Sequence, residues 1–264
     1  MRKAVIVVSI LLLAAGAGFC FLNRDSSYDR SFDTRVATPA YRDSGPVVLY
    51  DEGHDNAHTA DGAYKPLLDM LRSDGYRVMT TTQPFTREQL RGASVLMLVL
   101  PRGSNPTDDS AAYTDAETAA IAEWVGAGGS LLLITDHWPF GLAARSLASR
   151  FAVELSGGFV EDPKYHDPAR GESHLVFSEE NGLLGAHPVT RGRSEAERVH
   201  RVLTFTGGSL KGPDGAAFFL LLSDSATMRP PGPARVERAG GDERVMMAYG
   251  DPRPAGGWAQ GIAL

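Results

Sequence analysis

From Pro46 onward, apolar and polar positions alternate between two rhythms. VVLYD, Val47 to Asp51, is a short unbroken apolar run, as expected for a strand buried on both faces of a sheet. Tyr64, Leu67, Leu68 and Leu71 then recur at i, i+3, i+4 and i+7, one face of a helix that Gly75 would stop. YRVMTTT reads as a second strand and SVLMLVL, Ser94 to Leu100, as a third. Thr114 with Glu117 three residues later is a capping-box start for a helix carrying Ile121, Trp124 and Val125, which ends at Gly126–Gly129. SLLLITD, Ser130 to Asp136, is a fourth strand, and Pro139 suits the first turn of a helix through GLAARSLASRF. Strands separated by helices predict an α/β fold: an open, mostly parallel sheet with right-handed crossovers and helices on both faces.

After about Gly157 the rhythm breaks down. SGGFVEDPKYHDPARGES reads as loop, although it is long for a plain connection. RVLTF, AAFFLLLS and RVMMAYG look like further strands without helices between them, a strand-rich C-terminal extension at the edge of the same sheet. RPPGPARVERAGGDER reads as a surface loop.

The N-terminus follows neither rhythm. After Met-Arg-Lys, residues Ala4 to Leu22 are uncharged and almost wholly apolar. Such a helix would span roughly 28 Å at 1.5 Å per residue, close to a bilayer's hydrocarbon thickness. Residues 1–22 are therefore expected to be a membrane anchor, with Arg2 and Lys3 cytoplasmic and the bulk of the chain outside the cytoplasm on a single-pass inner-membrane protein. The competing expectation is a cleaved signal peptide, cut after Ala15-Gly16-Ala17, that leaves a secreted or periplasmic product. A lipoprotein at Cys20 fits poorly, because bulky Phe19 precedes it. Residues 23–45 are polar and read as a linker, leaving 46–264 as the α/β domain.

Charge and cysteine content narrow the chemistry. Beyond Lys3 the chain holds 24 basic and 32 acidic residues with no Lys/Arg cluster, which argues against nucleic acid as a partner. Cys20 is the only cysteine and lies in the apolar segment. The domain can have no intramolecular disulfide, thiolate metal site or cysteine nucleophile. Gly-x-Ser-x-Gly, Walker A and strand-to-helix Gly-x-Gly-x-x-Gly motifs do not occur, so no nucleotide cofactor is indicated.

Open parallel sheets bind ligands at the carboxyl ends of their strands. Here the first strand delivers Asp51, followed by His54 and Asn56, and the fourth delivers Asp136-His137. The third ends in Pro-Arg-Gly-Ser-Asn, offering Arg102 and Asn105. If the first and fourth strands are near one another, two carboxylates and two imidazoles converge in one pocket, where His54 or His137 could act as general base. The bland alternative is that Asp and Asn after a strand cap the next turn. Asp and His also suit zinc, iron or manganese, but their spacing matches no strong metal signature, and the metal is left open. Trp138 could wall a pocket or stack on a sugar, with packing beneath the next helix as the alternative. His187, before Pro188 at a turn, is a further candidate. His58 is expected to be an exposed loop residue, as are His166 and His174, and His200 is read as incidental.

LYDEGHDN, LRSDGYRV, VLMLVLPRG, IAEWVGAGGSLLLITDHWPFG and HPVTRG together resemble a bacterial family of uncharacterised domains with the class I glutamine amidotransferase-like fold, a flavodoxin-like parallel sheet. The resemblance covers Val47 to Leu264. It is specific in Asp51-x-x-His54-x-Asn56 and in Asp136-His137-x-Pro139-Phe140. Amidotransferases of this fold carry a cysteine on an elbow after a central strand, and nothing here can play that part, so glutaminase activity is not expected. Family members continue past WAQGIAL with another strand, so the chain is expected either to be shortened at Leu264 or to close its sheet differently. The expected function is a non-thiol module binding a small polar ligand such as a carbohydrate or cell-wall fragment. The alternatives are a His/Asp hydrolase, with or without a metal, and a scaffold with a vestigial pocket.

Overall fold

The computed structural model describes residues 28–103, 110–239 and 242–263. Its organising element is a four-stranded parallel sheet of β1 (Val47–Asp51), β2 (Arg77–Thr81), β3 (Val95–Val99) and β4 (Ser130–Ile134). The spatial order is β2-β1-β3-β4, the start of a flavodoxin-like order with its reversal between β1 and β3. Registers such as Val48 beside both Val78 and Val95, and Met97 beside Leu132, bring the four carboxyl ends to one edge.

Both faces of this sheet are covered. Helix α1 (Lys65–Ser73) packs Leu67, Leu68 and Leu71 against Val48, Tyr50 and Met97. Helix α3 (Asp115–Gly126) and the short helix α5 (Arg145–Ser149) press Ile121 and Leu147 onto Leu49, Leu96 and Leu98 on the opposite face. A single turn, α2 (Arg87–Leu90), is capped by Thr86 and adds Leu90 to the same cluster. The expected long helix after Pro139 is broken into α4 (Phe140–Ala143) and α5, with Ala144 between them.

The central strands β1 and β3 are the most buried because helices flank them on both sides, which explains their unbroken apolar runs. At the sheet's margins, Met79 on β2 is 57% exposed and Leu132 on β4 is 43% exposed. Residues 28–45 do not hang free as a spacer. Val36 N–H donates to Ser73 Oγ, Ala40 N–H to Asp74 Oδ1, and Tyr41 packs edge-on against Tyr76.

The second half is antiparallel, but it does not extend the parallel sheet as expected. Short strands β5 (Glu154–Leu155), β6 (Phe159–Glu161) and β7 (His166–Asp167) lead into β8 (Gly171–Ser178). After α6 (Pro188–Arg191) come β9 (Arg201–Leu203), β10 (Leu210–Lys211), β11 (Ala217–Leu221) and β12 (Thr227–Arg229). A long pair, β13 (Pro231–Ala239) and β14 (Asp242–Tyr249), precedes β15 (Arg253–Pro254) and β16 (Ala259–Ala263). These form separate small sheets: β11-β16-β10-β5, β15-β12-β6, β7-β8-β9 and β13-β14. Val160, Leu175, Phe177, Leu184 and Leu222 form one buried cluster that joins β6 and β8 with the segments flanking β11.

Two segments read as loops therefore carry strands. In β13, Pro231 and Pro233 deny donors to the ladder, which in sequence is a loop signal. A two-stranded ribbon has an open side that tolerates them, and the register shifts between Pro231 and Ala234.

The membrane expectation requires correction. Among the described residues no helix is long and apolar enough to cross a membrane. The longest, α3, has 12 residues, about 18 Å of helix against roughly 30 Å of hydrocarbon. The segment Ala4–Leu22, on which the anchor and signal expectations rested, lies outside the described residues. Neither a membrane partner nor a single-pass inner-membrane location is retained.

The two-faced core makes a direct prediction. Leu96 is fully buried in the middle of β3, so Leu96→Ala should cost about 2–5 kcal/mol. A fall in the urea unfolding midpoint with an unchanged slope would measure it.

Candidate functional site

Asp51 ends β1 with its side chain completely buried. A carboxylate in that position must collect donors, and the loop that follows supplies them. Gly53 N–H donates to Oδ1 at 3.0 Å and Asn56 Nδ2 to Oδ2 at 3.2 Å. The fully buried Tyr113 places its hydroxyl 3.5 Å from Oδ2. Asn56 also donates to the Val99 carbonyl at the end of β3 at 2.9 Å, and its Oδ1 accepts the His54 N–H.

His54 closes the network. Its Nδ1 lies 2.8 and 3.0 Å from the two oxygens of Asp51, and its Nε2 lies 2.9 Å from Glu117 Oε1. A neutral imidazole has one N–H, so one ring nitrogen would turn a lone pair toward a carboxylate. Both contacts are satisfied only by the imidazolium, which donates to both acids. Burial works against that charge, yet the hydrogen bond and charge of Asp51, followed by those of Glu117, outweigh it and raise the His54 pKa. The ring is stacked on Phe85 at 5.1 Å and tilted against Tyr113 at 4.6 Å.

Glu117 is the partner that sequence reasoning did not identify. It was recognised only as the third residue of the α3 capping box, and it does fill that role: Oε2 accepts from Thr114 N–H and from Thr114 Oγ. Its Oε1 also accepts from Phe85 N–H at 3.1 Å. Burial alone would raise its pKa, but the Thr114, His54 and Phe85 donors together hold it below the usual carboxylate range. Nothing local to the sequence marks this second bond, because His54 and Glu117 are joined only by the packing of α3 beside the β1 loop.

The first motif is thus a closed, buried lock and not an open acid–base pair. It pins the β1 loop to β3 and α3. Further bonds extend the hold: Ala57 N–H donates to Leu100 O, Tyr50 hydroxyl to His58 O, and Ala60 N–H to Glu52 Oε1. Leu100, just past β3, takes a left-handed φ of 43°, a conformation that costs a non-glycine residue about 1–3 kcal/mol and needs such support.

The pinned loop forms one wall of a cleft of about 370 Å³ beyond the carboxyl ends of β3 and β4. His58 and Tyr64 stand on this wall, Leu100 and Ile134 line the base, and Asp136 projects from the end of β4. Across the opening run Thr204, Phe205, Gly207 and Gly208, with Gln260 from β16 behind them. Thr204 Oγ donates to Gln260 Oε1 at 2.7 Å, and Gln260 Nε2 donates to Thr206 O at 2.9 Å, so the amide is held in one orientation. Gly207 has φ +88°, and a Cβ there would fall 2.6 Å from Gln260 Nε2. The Gly207-Gly208 pair lets this segment approach the Asp136 backbone, since a Cβ on Gly208 would lie 3.1 Å from the Asp136 carbonyl. That doublet was the available sequence signal for the far wall.

The expected residues separate accordingly. Asp51, His54 and Asn56 sit together in the lock, and Asp136 alone of the two paired motifs lines the cleft. His137 turns toward Phe159 and Tyr249, with Nδ1 2.8 Å from the Trp138 carbonyl and 3.0 Å from the Tyr249 hydroxyl. Its Nε2 is 3.9 Å from Asp136 Oδ1. Trp138 is 1% exposed and belongs to the core, leaving no face for a ligand. Arg102 is buried, with Nη1 3.7 Å from Asp55 Oδ2 and its N–H on the His54 carbonyl. His187 caps α6, its Nδ1 accepting from Val189 N–H at 3.2 Å, and its ring stacks on Phe219. Asn105 lies outside the described residues. His58, expected to be an exposed loop residue, instead faces the cleft beside Tyr64, with ring centroids 5.6 Å apart. Among the described residues no group of three or more His, Cys, Asp or Glu side chains is arranged to hold a metal ion.

No family model and no curated protein matches the sequence. Among solved structures, one described as "mmIFT52 N-terminal domain" aligns over 75% of this chain and 84% of its own length, with a TM-score of 0.53 and 15% identity. A ThuA-like protein from Bacteroides uniformis ATCC 8492 covers 72% of this chain and 70% of its own length at 17% identity, with a TM-score of 0.39. The likeness is one of fold. At these identities it says nothing of activity, and the second alignment is too loose to argue from.

The lock predicts a specific pH response. The His54 contribution is whole below its unfolded value of 6.5 and is lost as pH rises through its raised native pKa. The Glu117 contribution is whole above 4.5 and is lost as pH falls through its lowered native pKa. The pair therefore stabilises most between those two values. His54→Gln should cost about 3–5 kcal/mol by leaving buried acids unpaired. Thermal unfolding of this variant as a function of pH should also show a weaker alkaline decline than the parent chain.

Proposed function

We propose that the chain is a small-molecule-binding domain of amidotransferase-like fold without glutaminase chemistry, and that its ligand sits in the cleft between Asp136 and the Thr204–Gly208 segment. The observation that carries this reading is the cleft itself. It lies at the carboxyl edge of a doubly wound sheet, the usual ligand position in this architecture, and combines one carboxylate with aromatic and apolar surface. A polyhydroxylated ligand, a carbohydrate or cell-envelope fragment, suits that lining. Asp136 accepts from hydroxyls while Tyr64 and Phe205 offer ring faces. The lock contributes by holding the loop that bears His58 and Tyr64.

The hydrolase reading is weaker but keeps one supporting feature, the Asp136–His137 pair beside the cleft. His54 is no candidate base, since both its ring nitrogens are committed to carboxylates. His137 would have to act through Nε2 after a rearrangement, because its ring is not part of the cleft lining.

A ligand that prefers the native state raises the melting temperature. Sugars and muropeptide fragments should include at least one that does so for the intact chain, with the shift abolished in Asp136→Ala. A panel without any such response would remove the binding reading. Turnover of an ester, amide or glycoside that disappears in His137→Ala would establish the hydrolase in its place.

A further inference from the structure

The cleft's electrostatics are one-sided. Among the described residues that line it, Asp136 is the only Asp, Glu, Lys or Arg. Its side chain is 28% exposed. Oδ1 accepts the His137 N–H at 2.7 Å, while Oδ2 receives no hydrogen bond among the described residues. Two imidazoles stand near this carboxylate: His137, with Nε2 3.9 Å from Oδ1 and outside the lining, and His58, on the lining itself. The closeness of this charge to the opposite wall is felt by Tyr64, whose phenol is pushed up first by burial and then by the Asp136 carboxylate. An anionic ligand would meet repulsion here, and the polar groups across the opening are already bonded to one another through Thr204 and Gln260.

We propose that the cleft selects a cationic ligand: a primary ammonium group seated against Asp136 Oδ2, with the ligand's ring resting on Phe205 and Tyr64. The inference rests on the cleft being the ligand site, and it adds the charge of what enters. Both a hydroxyl and an ammonium can donate to the carboxylate, but only the ammonium adds a full opposite charge, and that attraction grows where the site is shielded from water. Aromatic faces add to that preference, since a cation within about 6 Å of a ring centroid is attracted to it. Phe205 presents such a face, being 67% exposed at the cleft mouth.

Two matched pairs test this by isothermal titration of the intact chain at mildly acidic pH: glucosamine against glucose, and benzylamine against benzyl alcohol. The expected result is that at least one amine binds about tenfold or more tightly than its neutral counterpart. The preference should weaken with added salt and vanish in Asp136→Asn. Phe205→Ala, a change at an exposed ring that the fold tolerates, should lower amine affinity severalfold and keeps the test decisive should Asp136→Asn unfold. Equal or tighter binding of glucose and benzyl alcohol would overturn the charge preference while leaving the polyol reading intact. Binding of benzylamine with neither sugar would support the charge preference and sink the polyol reading. No binding by any of the four would overturn both.

Discussion

One buried imidazolium between two buried carboxylates determines how the carboxyl edge of the parallel sheet is built. Asp51 and Glu117 come from distant parts of the polypeptide's α/β half, one from the end of β1 and one from the first turn of α3. Neither could be buried as an anion alone, because desolvation would outweigh whatever its own loop supplies. His54 meets both at hydrogen-bond distance, and in doing so it fixes the path of the loop after β1. Asn56 carries the same constraint across to β3 through the Val99 carbonyl. The wall that bears His58 and Tyr64 follows from this placement.

This arrangement changes the meaning of the histidine- and aspartate-rich stretch at residues 50–58. The residues with the richest chemistry in the sequence, Asp51 and His54, are spent on architecture. The residue that seemed least useful, His58, is the one that reaches the cleft. Conversely, Asp136 lines the cleft with one oxygen that receives no hydrogen bond among the described residues, whereas its neighbour His137 is engaged with Trp138 and Tyr249. The paired motifs at strand ends lie at one edge of the sheet, but they do not form one pocket.

The parallel half of the fold was legible because burial on both faces writes itself into the sequence as apolar runs, and because Thr114, Glu117 and Gly75 punctuate the helices. The antiparallel half was not. Most of its strands are short, several pair at long separation, and two of the longest, β8 and β13, open on Gly and Pro, which are loop signals. Register there is set by tertiary packing rather than by local pattern. The candidate site divides along the same line. Asp51, Asn56 and Asp136 could be read from their position after strands, whereas the Glu117 bond and the Thr204–Gly208 wall depend on contacts between distant segments. Phe205 gave no signal at all, since a lone exposed aromatic after a short strand resembles any surface residue.

The central claim is that His54 is a structural cation and not a titrating base. Nitrogen-resolved NMR of the imidazole, followed across neutral pH, measures this directly. The account predicts protons on both Nδ1 and Nε2 at neutral pH, with deprotonation above the ordinary histidine value of 6.5. A neutral His54 with a single ring proton at that pH, titrating at or below the ordinary value, would contradict it.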